Sequence, residues 1–150
     1  MKICFTLFIV TALFSNCNSN NKSKQINITA DTTLTITTGC YRTTIEKDTA
    51  ELQLTINGNL VSGNLQYKRF EKDDNKGTFT GIIEHNTIKA WYSYQSEGKT
   101  SVKEVFFKIE KDKLAEGYGD VKMRNDSFVF MYPATLRYED GHPYLKVNCN

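Results

Sequence analysis

The chain has few of the residues that build common catalytic and metal sites. Among its 150 residues are 2 prolines and 2 histidines, so no proline-rich linker divides it. His85 and His142 stand in no spacing typical of a metal site or a catalytic triad. The serines form no Gly-x-Ser-x-Gly elbow, and no apolar stripe of helical period persists over the length of a helix. We therefore predict no helical core, no catalytic residue, no metal site and no cofactor.

The charge pattern also lacks a dominant sign. The formal net charge is +2, and lysines alternate with acidic residues along the chain, as in Lys108-Ile109-Glu110-Lys111. Nucleic-acid binding requires a basic face, which this mixed surface does not provide. We therefore exclude nucleic acid as a partner.

The start of the chain has the features of an export signal. Lys2 precedes an apolar run, Ile3 to Phe14, which is too short to span a bilayer. The following Ser15-Asn16-Cys17 resembles a bacterial lipoprotein processing box, in the relaxed form found in Bacteroidota. The resemblance implies a signal peptide over residues 1–16 and lipid on Cys17, which anchors the protein in the membrane. An ordinary cleaved signal, with Cys17 as a free or paired thiol, is the alternative.

The residues after Cys17 are polar and read as a flexible tether over residues 17–38. Surface-exposed Bacteroidota lipoproteins resemble one another in carrying acidic residues just after the cysteine, whereas Asn, Ser and Lys stand here. We therefore expect an anchor in the outer membrane with the domain facing the periplasm.

Two cysteines remain once Cys4 leaves with the signal and Cys17 carries lipid. An even pair in an exported protein predicts a disulfide, here between Cys40 and Cys149. A metal site is the rival explanation, but the pair has no C-x-x-C partner.

The body of the chain, residues 39–150, reads as one all-β domain. Strand-forming runs alternate with turn signals, as in Leu52, Leu54 and Ile56 followed by the hairpin signal Asn57-Gly58-Asn59. One run, Leu114 to Met123, reads as a single strand. We expect about eight strands in a small antiparallel up-and-down meander barrel, because closing the sheet removes its unpaired edges. A β-sandwich is the alternative.

Two resemblances accompany this prediction. Gly39-x-Tyr41 resembles the Gly-x-Trp of the lipocalin-like group. Gly39-Cys40-Tyr41, Ser96-Glu97-Gly98 and Glu116-Gly117-Tyr118-Gly119 resemble motifs of small Bacteroidota lipoproteins with a lipocalin-like β-barrel domain. This resemblance covers roughly residues 39–149 and implies class and location, without an activity.

Two acidic sets invite a functional interpretation. Asp73 to Gly77 resembles a calcium loop, but strands flank it and Thr78 occupies the required glycine position, so we predict a turn. A carboxylate-based hydrolase would need Glu97, Glu116 or Asp120 to converge in one cleft. We expect Glu116 to face outward and the protein not to be an enzyme.

The aromatic residues are the remaining candidates for ligand binding. We expect seven to face the interior: Tyr67, Tyr92, Tyr94, Phe107, Tyr118, Phe128 and Phe130. A small barrel holds either packed side chains or one small ligand, and inward tyrosines favour a partly polar interior. Trp91 lies on the opposite face. Three functions follow: a binding or structural module for an envelope protein or cell-wall component, a lipocalin-like carrier or sensor of a small apolar ligand, and, last, the hydrolase.

Overall fold

The computed structural model describes residues 36–96 and 98–149. These residues form an all-β domain with one short 3-10 turn, Pro133–Thr135. The strands are β1 (Gly39–Ile45), β2 (Asp48–Asn57), β3 (Leu60–Lys68), β4 (Asn75–Glu84), β5 (Thr87–Ser96), β6 (Lys99–Glu110), β7 (Lys113–Tyr118), β8 (Val121–Arg124), β9 (Ser127–Phe130), β10 (Arg137–Tyr138) and β11 (Leu145–Val147). The all-β prediction is confirmed. No helix among the described residues has the length and apolar character needed to cross a membrane.

The chain builds one sheet whose order is β10-β7-β6-β5-β4-β3-β2-β1-β11. The strands from β1 to β7 pair sequentially and antiparallel, as a meander does. The remaining strands depart from that order, because β10 pairs with β7, β11 pairs with β1, and β9 pairs in parallel with β6. The prediction of about eight strands in a simple meander is therefore wrong for the last third of the domain, which adds short strands to both ends of the sheet.

The run from Leu114 to Met123 forms two strands instead of one. β7 ends at Tyr118, and β8 begins at Val121 and pairs only with β9. At Gly119, between these strands, a Cβ atom would lie 2.7 Å from a methyl carbon of Leu136. A larger residue at position 119 would therefore require the Leu136 side chain to shift.

Two backbone hydrogen bonds join β7 to the segment just before β11. Leu114 N–H donates to Tyr144 O at 3.1 Å, and Tyr144 N–H donates to Leu114 O at 2.7 Å. This isolated antiparallel bridge links the sequential strands at one end of the sheet to the β11 end.

The core lies on one face of the sheet and follows the alternation read from the sequence. Leu52 and Leu54 of β2 are buried, and Ile56 packs against the core from its edge. The largest fully buried side chains are Tyr41, Tyr92, Tyr144, Phe79, Phe107, Leu52, Leu54, Leu65, Ile88 and Leu114. Several tyrosines are thus buried among the aliphatic and phenylalanine side chains.

The predicted disulfide is present. Cys40 in β1 and Cys149 after β11 are bonded, with their Cα atoms 5.2 Å apart and 109 positions apart in sequence. Cys40 pairs in register with Val147, so the bridge fastens the β11 segment to β1. The predicted signal peptide, Cys17, the tether up to residue 35, and Glu97 lie outside the described residues.

Candidate functional site

A cavity opens where β6 changes its neighbour. The residues of β6 from Phe107 to Glu110 pair with β7, whereas Val102 and Lys103 pair in parallel with β9. Between these two stretches β6 pairs with neither β7 nor β9, and a cavity of about 490 Å³ lies there. Its lining residues are Tyr94, Lys103, Glu104, Val105, Glu116, Gly117, Tyr118, Gly119, Asp120, Val121, Phe128, Phe130 and Arg137. We call this space the cleft.

A smaller cavity of about 170 Å³ adjoins the same side chains. It is bounded by β1, β2 and β3 and includes Tyr67, Arg69 and Tyr144 in its lining. Lys103 and Glu116, together with Tyr118, line both spaces. These residues therefore stand at the boundary between the cleft and the smaller cavity.

Glu116 is the centre of a buried polar cluster. Its side chain is only 6% exposed. The Tyr67 hydroxyl donates to Oε1 at 2.5 Å, and the Tyr144 hydroxyl donates to Oε2 at 2.6 Å. A buried carboxyl group requires such partners, since an unpaired one is costly to withdraw from water. Both oxygens of Glu116 are thus occupied by tyrosine hydroxyls.

The prediction that Glu116 faces outward is wrong. Leu114, Glu116 and Tyr118 share a face of β7, but the intervening Ala115 is also only 1% exposed. β10 lies beside β7, and a Cβ atom added at Gly117 would lie 3.1 Å from the Tyr138 ring and 3.3 Å from Leu136. Because both faces of β7 are covered, an inside-outside alternation could not identify the buried one.

The tyrosine hydroxyls of the cluster are held in their neutral form. Burial and the neighbouring Glu116 charge raise the pKa of Tyr67 and of Tyr144 well above the usual value. Burial raises the pKa of Tyr92 too, and its hydroxyl donates to the Leu65 carbonyl oxygen at 2.9 Å. The predicted partly polar interior is accordingly built from phenols with defined acceptors.

Lys103 brings a positive charge to the same region. Its partner across β5–β6 is Tyr92, so the side chain points to the core face of the sheet. The ammonium lies 4.7 Å from the Tyr67 ring centroid and 5.7 Å from that of Tyr92, within the range of cation–π attraction. Burial lowers the pKa of Lys103, and Arg69 lowers it further, although Glu116 acts in the opposite direction.

The seven aromatic residues predicted to be interior fall into three groups. Tyr92 and Phe107 are fully buried in the core, and Tyr67 and Tyr94 pack against it. The Tyr94 ring stacks on Tyr92 at 4.9 Å. Phe130, Tyr118 and Phe128 line the cleft. Tyr118 is 44% exposed and Phe128 is 36% exposed. The last group is therefore at the surface of a cavity and not in the packed core.

The other sequence candidates lie as follows. Asp120 lines the cleft together with Glu116, whereas the third carboxylate of the hydrolase hypothesis, Glu97, is outside the described residues. His85 has a positive φ of 57° in a turn. His142 lies 3.5 Å from Glu139. Over residues 36–96 and 98–149 no group of three or more His, Cys, Asp or Glu side chains is placed to hold a metal ion.

Two residues of the site were not singled out from the sequence. Lys103 continues the odd-numbered face of Val105, Phe107 and Ile109, so its inward direction could have been read from that alternation. Tyr144 gave no such signal, because it belongs to an irregular tail segment that meets β7 only in the folded chain.

Trp91 lies on the outer face, as predicted, and is 42% exposed. Leu60 pairs with Ile82 across β3–β4, and these two side chains are 57% and 40% exposed. Trp91 pairs in register with Thr80, which lies two residues from Ile82 on the same strand. The side chains of Leu60, Ile82 and Trp91 therefore occupy one region of the outer face. We call this set the outer patch.

Comparison with protein-family models, with curated proteins and with solved structures gives no match for this chain.

Proposed function

We propose that this chain is a lipid-anchored cell-envelope protein whose β-domain carries or senses a small, largely apolar ligand. The observation that carries the proposal is the cleft of about 490 Å³ between β6, β7 and β9. Ligand sites of folded proteins are typically concave, have volumes of roughly 300–1,000 Å³, and combine apolar walls with a few polar groups. Tyr118, Phe128 and Phe130 supply such walls, and Lys103 and Glu116 supply the polar groups.

The proposed architecture is a closed, lipocalin-like barrel. The sequential antiparallel pairing of β1 to β7 supports this, as does the Leu114–Tyr144 bridge that links β7 to the β11 end. Closure at this bridge would satisfy backbone groups that an open sheet leaves unpaired.

The proposed anchor is lipid on Cys17, in the outer membrane and facing the periplasm. The apolar run before Cys17 and the polar tether after it support this assignment, as does the resemblance to small Bacteroidota lipoproteins. The Cys40–Cys149 disulfide independently favours an oxidising compartment outside the cytoplasm.

The anchor is tested on protein isolated from its own host. We expect the mature chain to begin at Cys17 and to carry the mass of a lipidated cysteine. Cys17→Ser should lose that mass and its membrane association. A mature chain with an unmodified Cys17, or a Cys17→Ser protein that stays in the membrane, would refute the anchor.

The ligand is tested by native mass spectrometry of the same protein. We expect a mass beyond that of the lipidated chain, released on unfolding. Phe128→Asp, which places a charge on the wall of the cleft, should lose the extra mass, while Trp91→Ala on the outer face should keep it. If the unaltered protein has only the mass of the lipidated chain, or if both variants retain the extra mass equally, the result would count against a carried ligand.

A second candidate function is docking of an envelope protein or cell-wall component through the outer patch. Its exposed Leu60, Ile82 and Trp91 form an apolar surface of the kind that marks interaction sites. A photo-crosslinking residue at Trp91 should then give a defined adduct in cells, and one at the exposed Lys122 of β8 should not. Identical patterns at both positions would remove this candidate.

A hydrolytic function is not favoured. Glu116 and Asp120 share the cleft, but both oxygens of Glu116 accept hydrogen bonds from the hydroxyls of Tyr67 and Tyr144. That arrangement fits a carboxyl group that organises the core of the site, and we propose no enzymatic activity for the chain.

A further inference from the structure

We propose that the cleft selects an amphipathic anion, with a carboxylate head at Lys103 and an apolar chain along Phe128 and Phe130. This inference rests on the proposed ligand-binding function and names the chemical class of its ligand. It starts from the one cation that the cleft and the smaller cavity share, Lys103.

The Lys103 ammonium lacks an anionic partner in the described part of the chain. No carboxylate there lies within 4.0 Å of Nζ, and no hydrogen bond involving Nζ is formed. Glu116 lines both spaces together with Lys103, but its two oxygens accept from Tyr67 and Tyr144. The contacts that Lys103 does make are with aromatic faces, which attract the cation without accepting its protons in hydrogen bonds.

The charged lining of the cleft consists of two cations, Lys103 and Arg137, and three carboxylates, Glu104, Glu116 and Asp120. Glu104 accepts a hydrogen bond from the Phe130 backbone N–H at 2.8 Å, and Glu116 accepts from Tyr67 and Tyr144, so neither carboxylate has Lys103 as its hydrogen-bond partner. Burial lowers the pKa of Lys103 although Glu116 acts in the opposite direction, so the nearby carboxylate does not fully offset the cost of burying this ammonium. A ligand carboxylate would supply the missing acceptor in a charge-assisted hydrogen bond.

The apolar part of the ligand has a matching surface on the other side of Lys103. Lys103 aligns in parallel with Phe128 across β6–β9, so the two side chains project to the same side of the sheet. Phe130 and Val105 continue that wall, and Val121, which is 52% exposed, lies at its rim. A head group at Lys103 therefore places an attached chain directly against aromatic and aliphatic side chains.

The inference is tested with three amphiphiles that share a chain and differ in their heads: decanoate, decanol and decyltrimethylammonium. Calorimetric titrations use the mature chain from residue 17, produced with Cys17→Ser so that no attached lipid competes, below the concentration at which micelles form. We expect decanoate to bind at least about tenfold more tightly than decanol, which corresponds to about 1.4 kcal/mol. Decyltrimethylammonium should bind more weakly than either.

Substitutions assign the selectivity to Lys103. Lys103→Met should lower the affinity for decanoate to that for decanol and leave decanol unaffected, because the apolar wall is intact. Lys103→Arg should retain most of the preference. Lys89→Met, on the outer face of β5, serves as the matched control and should change neither ligand. Decanol binding also shows that Lys103→Met retains the folded cleft.

The outcomes separate this inference from the function on which it rests. If decanol binds as tightly as decanoate, or if Lys103→Met keeps the preference for decanoate, the anion anchor is wrong while the ligand-binding cleft stands. If decyltrimethylammonium binds most tightly, Glu116 or Asp120 governs the head group and the inference is again wrong. If none of the three amphiphiles binds, the ligand-binding proposal fails together with it.

Discussion

Replacing Glu116 with leucine leaves the hydroxyls of Tyr67 and Tyr144 without their acceptor. Each hydrogen bond to a charged group is worth about 1.5–3 kcal/mol, so two of them are worth about 3–6 kcal/mol. Part of this loss is offset because the carboxyl group no longer suffers the cost of burial. We therefore expect the free energy of unfolding to fall by about 3 kcal/mol, a large share of the roughly 5–15 kcal/mol of a typical domain.

Urea unfolding measures this change, and two variants make it specific. Glu116→Gln keeps one acceptor oxygen and should cost less than Glu116→Leu. Glu51→Gln is the control, because Glu51 is partly exposed and forms surface ion pairs with Arg42 and Lys68 at 3.0 and 3.6 Å. Exposed pairs of this kind contribute about 0–1 kcal/mol, so Glu51→Gln should have little effect.

The triple variant Glu116→Leu/Tyr67→Phe/Tyr144→Phe provides the decisive comparison. Removing both sides of a buried hydrogen bond costs far less than removing one, because no polar group remains unpaired. The triple variant should therefore recover much of the stability that Glu116→Leu loses. If it is no more stable than the single variant, or if Glu116→Leu costs no more than Glu51→Gln, the cluster does not stabilise the fold as we infer.

Two further predictions concern the disulfide and the phenols. Cys40→Ser/Cys149→Ser opens a loop of 109 positions, and the chain-entropy relation gives a loss of about 5 kcal/mol in the free energy of unfolding. Urea unfolding with and without reductant measures it, and a change below about 1 kcal/mol would contradict the estimate. Because the pKa of Tyr67 and of Tyr144 is raised in the folded state, the unfolded chain loses these phenolic protons first. Stability should be unaffected by this pair below the ordinary tyrosine pKa of about 10 and should fall as pH rises beyond it. Urea midpoints over this range test the effect; Tyr67→Phe should weaken the dependence, and an equal dependence in Tyr67→Phe would contradict it.

The local features of this fold were predictable from sequence because they depend on residues close together in the chain. The alternation of Leu52, Leu54 and Ile56 defines the buried face of β2, and the Asn57-Gly58-Asn59 turn ends that strand. The pair Cys40 and Cys149 followed from cysteine number and export context. These inferences required only the two-residue alternation of apolar side chains, the residues typical of a tight turn and the number of cysteines.

The functional site depended on contacts between distant segments, and only the tertiary structure decided it. Glu116 is buried because Tyr67 and Tyr144 meet it on one face of β7, while the side chains of Leu136 and Tyr138 lie against the opposite face at Gly117. The cleft exists because β6 exchanges β7 for β9 along its length, which no local pattern encodes. Sequence by itself indicated most of the strands before β7 and places Lys103 on the same face of β6 as Val105. Tertiary packing determined that this lysine meets a cavity and, over residues 36–96 and 98–149, no carboxylate within ion-pair distance. The neighbours of a side chain are set by strand pairing across the whole domain.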